Sequence, residues 1–247
     1  MKKILMGMLG VALIVTFTVQ KGYGQTAQDV LKKMIEASGG RKAMTAIKDS
    51  TMSGTYEIVA YSASGSFTRY LKEPSKMRID IEIPALGMTM TQAYDGQKAM
   101  WTNPQTGGAT EAMPETMAQE FARQALGNEA ILNPEKYKIT FEVKPKTKLD
   151  GKEYIVLEQS MANGHKMTIY IDPATYLPYK TETMTMGMSG TEVKAESYPS
   201  DFKPVNGVMM AYSTRTLQDG AEFMKLVITK ITVNTNLEDS LFSLEKK

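Results

Sequence analysis

The chain has 247 residues, one histidine and no cysteine, with 29 basic against 27 acidic side chains. This inventory excludes disulfides and a zinc site of ordinary cysteine and histidine composition. Lys2, Lys3 and Lys21 fall in the first 24 residues, so the rest carries 26 basic and 27 acidic side chains, a balance that offers nucleic acid or an anionic membrane no electrostatic footing.

The N-terminus reads as a secretory signal. Lys2 and Lys3 precede an apolar run from Ile4 to Val19, and Gly22-Tyr23-Gly24 supplies small residues for cleavage before Gln25. The run is shorter than the ~20 apolar residues of a spanning helix, and Gln20 and Lys21 end it. The expected organisation is a cleaved signal over residues 1–24 and one domain over 25–247, exported to the periplasm with no membrane span after cleavage. Without a cysteine, no lipid-modified cysteine can form at the new terminus.

Asp29 to Ala37 predicts a short helix with Val30, Leu31, Met34 and Ile35 on one stripe, stopped by Gly39-Gly40, and a further turn or two follows over Arg41 to Ile47. From Ser50 the period changes to two. In Lys76 to Ile83, Met77, Ile79, Ile81 and Ile83 alternate with Arg78, Asp80 and Glu82, the pattern of a half-buried strand. Strands are predicted over 50–61, 65–72, 76–83, 87–94, 98–102, 136–144, 153–160, 166–172, 178–186, 191–198, 207–217 and 222–234. Asp95-Gly96, Asp150-Gly151, Asn163-Gly164, Asn206-Gly207 and Asp219-Gly220 stand between such runs and can take the positive φ of tight hairpins, so the sheet is expected to be an antiparallel meander. One long helix interrupts it, with Pro114 in its first turn and Met117, Phe121, Ala125 and Leu126 on one stripe before Gly127. About a dozen strands must close, or cover their concave face with these helices. Pro145 with Lys144, Lys146 and Lys148 reads as a solvated hairpin end.

The chemistry inventory speaks against an enzyme. His165 follows a turn and has no second ligand, and there is no Gly-x-Ser-x-Gly elbow, phosphate-binding glycine loop or dinucleotide fingerprint. Asp80 and Glu82 share a strand face with Arg78, which suits a solvated surface better than a glycosidase pair. No cofactor is implied. Methionine is the unusual component: 17 of the 20 lie beyond residue 24, with Met88 and Met90, and Met184, Met186 and Met188, in alternation. Three readings stand: core packing, an adaptable apolar lining for a flexible ligand, and a thioether site for copper(I).

Two stretches resemble the periplasmic lipoprotein-carrier superfamily of LolA and LolB. In the first, Lys72-Glu73-Pro74-Ser75-Lys76-Met77-Arg78 is followed by Asp95-Gly96-Gln97-Lys98 and by Trp101-Thr102-Asn103-Pro104. The second is Ile169-Tyr170-Ile171-Asp172-Pro173 with Thr175, Leu177 and Pro178, and the close over Asn234, Leu237 and Phe242 is similar too. The resemblance implies a mainly β, curved antiparallel half-barrel of about 11–12 strands, whose helix-covered concave face holds acyl chains of a lipid or lipoprotein. It also implies delivery and acceptor proteins as partners, and an arginine on the early strands that holds the lid, for which Arg69 and Arg78 both qualify. The expected lining is Met88, Met90, Trp101, Met117, Phe121, Met184 and Met186. The expected function is thus a non-enzymatic lipid or lipoprotein carrier; a sensor or protein-interaction domain on the same fold is the alternative, and copper(I) binding the third.

Overall fold

A computed structural model describes residues 25–187 and 190–244, save the side chains of residues 60, 86, 88 and 105. The signal expected over residues 1–24, Met188 and the side chain of Met88 therefore lie outside the described residues. No helix among the described residues is long and apolar enough to cross a membrane.

Two short helices lead, α1 (Ala27–Ala37) and α2 (Gly40–Ala46). Thr26 and Asp29 form a reciprocal capping box that starts α1 at Ala27, two residues before the expected start at Asp29. Then come β1 (Asp49–Ile58), β2 (Ala63–Lys72), β3 (Lys76–Ile83), β4 (Met88–Tyr94), β5 (Ala99–Asn103) and β6 (Ala109–Ala112). Helices α3 (Glu115–Ala125) and α4 (Glu129–Leu132) separate these from β7 (Thr140–Leu149), β8 (Lys152–Ser160), β9 (Lys166–Ile171), β10 (Pro178–Met186), β11 (Glu192–Val205), β12 (Val208–Gln218) and β13 (Ala221–Val233).

All 13 strands form one antiparallel sheet in the order β6-β5-β4-β3-β2-β1-β13-β12-β11-β10-β9-β8-β7, and it does not close. The predicted half-barrel is therefore what the chain forms, with one strand more than expected. Asp150-Gly151, Asn206-Gly207 and Asp219-Gly220 each place both residues at positive φ, the geometry that matches hairpin twist. The pairing of β1 with β13 slips between Ser53 and Gly54, where a Cβ would stand 2.0 Å from the Val227 carbonyl oxygen. Glycine there lets the two backbones approach and the sheet bend at the seam between its two halves.

The helices bury their stripes on the concave face. Val30, Leu31 and Met34 of α1 pack on Ile155, Leu157, Ile169 and Ile171 of β8 and β9. Phe121 and Ala125 of α3 pack on Met77, Ala99 and Met113. Met44, Ile47, Leu132 and Val208 join α2 and α4 to the start of β12. The C-terminal segment is tied to the start of β1: Asp49, buried, accepts bonds from the Thr235 amide at 2.7 Å, the Thr235 hydroxyl at 3.0 Å and the Asn236 amide at 2.9 Å. Beyond it Arg78 donates to the Leu241 carbonyl, and Phe242 is almost wholly buried.

Four elements depart from expectation. The short edge strand β6 and the single turn α4 have no apolar periodicity of their own. Strand β7 begins later and runs through Pro145 and the three lysines; it is an edge strand with a register slip between Lys144 and Thr147, the setting in which proline is tolerated. Strand β11 extends to Val205 through Pro199 and Pro204, and beyond Ser197 it pairs with β12 alone, so that its other side is an edge where proline is tolerated.

Candidate functional site

A cavity of about 930 Å³ occupies the concave face. The two-residue alternation puts Met52, Tyr56 and Ile58 of β1, Phe67, Arg69 and Leu71 of β2, and Ile79, Ile81 and Ile83 of β3 into its wall. Met224, Leu226 and Ile228 of β13 continue it, and the α3–α4 connection, Gln124 to Asn128, covers one side. Such size and lining fall in the range of sites that enclose small apolar ligands.

Of the five charged residues in this wall, Lys48, Asp49, Arg69, Lys72 and Glu73, three have contrasting circumstances. Asp49 is spent on the C-terminal segment. Glu73 follows Leu71 on the same face, and its Oε2 is buried with no hydrogen-bond partner. Burial first, and the neighbouring Glu129 second, push its carboxyl up to about 7 against the opposing pull of Lys48 and Lys136. Arg69 lies deeper. Its Nη2 donates to the Met52 thioether sulfur at 3.0 Å, while its Nε is buried without a partner. Burial pulls the guanidinium below its usual range, though an arginine stays charged.

A second cavity of about 530 Å³ lies beside α3 and shares Ile79 and Gln124 with the first. It is more polar: Glu120 and Arg123 pair across one turn of α3, and the His165 Nε2 stands 3.1 Å from the Thr183 hydroxyl. Burial, followed by Arg123, lowers the His165 pKa. Among the described residues no group of three or more histidine, aspartate or glutamate side chains could hold a metal ion.

The residues singled out from the sequence are thus distributed over three places. Met90 and Arg69 face the large cavity. Trp101 and Met117 pack against the cluster under α3, in which Phe121 is only 5% exposed. Met117 and Phe121 also border the smaller cavity, together with Met184 and Met186, which are 47% and 48% exposed. Register explains that exposure: Tyr170 pairs with Lys180, Glu182 with Glu196 and Met184 with Lys194, so Met184 shares the face of the charged network rather than that of Ile169 and Ile171. Arg78 likewise faces away from Ile79, bonding Asp80 and the Leu241 carbonyl. Sequence reasoning did not assign Met52, Glu73, Met224 or the isoleucines of β3 to a cavity wall, although the alternation over Lys76–Ile83 carried that signal.

Several solved structures share the path of this open antiparallel sheet and its helices. A LolA superfamily protein from Nitrosomonas europaea superposes with a TM-score of 0.60 at 15% identity, over 89% of this chain and 98% of its own. The fold is LolA-like. A putative outer membrane lipoprotein-sorting protein domain from Vibrio parahaemolyticus gives 0.59 at 16% identity, covering 87% and 95% of the two chains. A DUF1329 family protein from Desulfovibrio piger gives 0.62 at 12% identity, covering 90% and 98%. No family model and no curated protein matches the sequence. At these identities the LolA-like likeness concerns the path of the chain, and the side chains that line the hollow are this protein's own.

Proposed function

We propose that this protein is an exported, non-enzymatic carrier that holds an acyl chain of a lipid or lipoprotein in the concave cavity of a LolA-like half-barrel. One observation carries the reading: a hollow of about 930 Å³ walled by aliphatic, aromatic and thioether side chains from adjoining strands and partly covered by the α3–α4 connection. Burying about a dozen methylenes there supplies a gross driving force near 10 kcal/mol at ~0.8 kcal/mol each, before ordering costs. Retention on this scale needs no covalent step. The lipoprotein-sorting description of the Vibrio structure agrees with such a role, and a periplasmic location with delivery and acceptor partners belongs to the same reading.

The test is native mass spectrometry of the protein purified from the periplasm without detergent, followed by organic extraction. Co-purifying acyl lipid or lipidated peptide is the expected result and names the cargo. A mass that matches the bare chain and does not change on incubation with lipid and lipoprotein overturns the carrier reading in favour of an interaction domain.

A further inference from the structure

Arg69 is the feature that the apolar cavity leaves unexplained. An acyl chain needs no cation, and burying an unpaired guanidinium is costly. Among the described residues no carboxylate pairs with it, and its one bond is to the Met52 sulfur. The two carboxylates in the same wall do not serve. Asp49 is saturated by the Thr235 and Asn236 amides and the Thr235 hydroxyl. Glu73 lies beyond the end of β2, in the β2–β3 turn, four residues on and roughly 13 Å away at ~3.3 Å per residue.

The surroundings decide what could satisfy this group. Arg69 sits opposite Met52 on β1 and Ile79 on β3, with Phe67, Ile81 and Ile83 continuing the apolar wall toward the β3–β4 end. A neutral hydrocarbon occupying this wall would strip the guanidinium of solvent and leave it unpaired. An occupant with an anion at its inner end would replace that solvent with a charge-assisted bond, for which an arginine fork and a two-oxygen acid are matched. From Arg69 to the start of β2 at Ala63 is six residues, about 20 Å, the scale of a long acyl chain.

We infer that Arg69 anchors a carboxylate, and that the ligand of this cavity is a single-chain amphiphile of free fatty acid type, bound with its acid end inward against Arg69 and its chain along β2 and β3. This rests on the carrier reading above and narrows its ligand class. It distinguishes a free acid from an ester-linked chain, which brings no charge to that depth.

The experiment offers lipid-stripped protein an equimolar mixture of palmitic acid and methyl palmitate at pH 8 and counts the two complexes by native mass spectrometry. The expected preference for the acid is about 10- to 100-fold, the range of a hydrogen bond to a charged group. In Arg69→Met and Arg69→Gln that preference falls to near unity, with the ester still bound as evidence that the cavity is intact. Equal occupancy by acid and ester in the unaltered protein overturns the anchor and leaves the carrier reading standing. So does a preference that survives in both variants. Binding of neither compound overturns both readings. Should one variant fail to fold, the other assigns the preference to Arg69, and the unaltered protein decides whether the preference exists.

Discussion

Glu73 is where a single side chain most visibly sets a cost. In the unfolded chain its carboxyl titrates near 4.5, whereas burial and Glu129 raise it to about 7 in the native state. Between these values the native state holds the extra proton, so folding stability falls as pH rises from about 4.5 to about 7 and the full penalty applies above that. Glu73→Gln should therefore raise stability at pH 8 by about 1–2 kcal/mol, a figure discounted for partial solvent access, and leave it unchanged near pH 4. Urea midpoints of the two proteins at both pH values check this; an equal difference at both would assign the effect to packing instead of charge. Arg69, in the same wall, shows the complementary cost of a cation among apolar side chains. The strand that carries it, β2, is otherwise committed to lining with Phe67 and Leu71.

The helices are covers whose attachment can be read element by element. Helix α3 is held by Phe121, which sits among Met77, Ala99, Met113 and Ala125. Phe121→Ala should cost about 3–5 kcal/mol of unfolding free energy, measured by urea titration, because the ring leaves a cavity that neighbouring strands cannot fill. The turn between α1 and α2 meets the β11–β12 hairpin closely: Gly39 has φ 113°, and a Cβ there would stand 1.9 Å from the Gly207 carbonyl oxygen. Ser38 accepts from the Met209 amide at 3.0 Å beside that contact. At this scale the sequence was most legible where periodicity is local. The alternation of Met77, Ile79, Ile81 and Ile83, and the Asx-Gly turns, carried twelve strands and their meander pairing, but not the β1–β13 pairing that joins the two meanders. Strand β6 was illegible because its Ala-Thr-Glu-Ala earns no apolar face and exists only by pairing with β5. The methionines were legible only in part for a related reason: alternation shows that Met184 and Met186 share a face but not which face, and that is decided by their partners on β11. Glu73 and Arg69 stand on the same alternation as the lining, yet burial of a charge is settled by long-range packing across the sheet and leaves no local trace.

For the whole molecule, charge is concentrated on the outer surface of the second half of the sheet. Lys180 is buried between Glu182 and Glu196 and lies over the rings of Tyr170 and Tyr198, with Lys194 completing the network. Burial opposes the Glu182 charge, but its bonds from Lys180 and Lys194 prevail and hold its carboxyl at about 2. Asp239, bridged by Lys72 and Lys76, is also held at about 2. Both carboxyls contribute stability that is complete above their ordinary values and is lost as pH falls from about 4.5 toward 2. Combined with Glu73, which weakens the fold as pH rises toward 7, this predicts greatest stability near pH 4.5–5. Thermal midpoints between pH 2 and pH 8 should pass through that maximum; a monotonic rise to neutral pH would show that Glu73 is ionised at no cost.

A sheet that never closes ends in two rows of backbone groups, and each row is an invitation to another chain. Here one end is β6, four residues long, with Gly107-Gly108 before it and Pro114 just beyond. The other is β7, whose ladder is interrupted at Pro145 and whose Lys144 and Lys146 are tied to Glu142, Glu158 and Glu153. Shortness at one margin, and a missing amide with a row of charges at the other, deny an incoming strand a continuous template. The half-barrel can stay open along its length without its margins seeding fibrils.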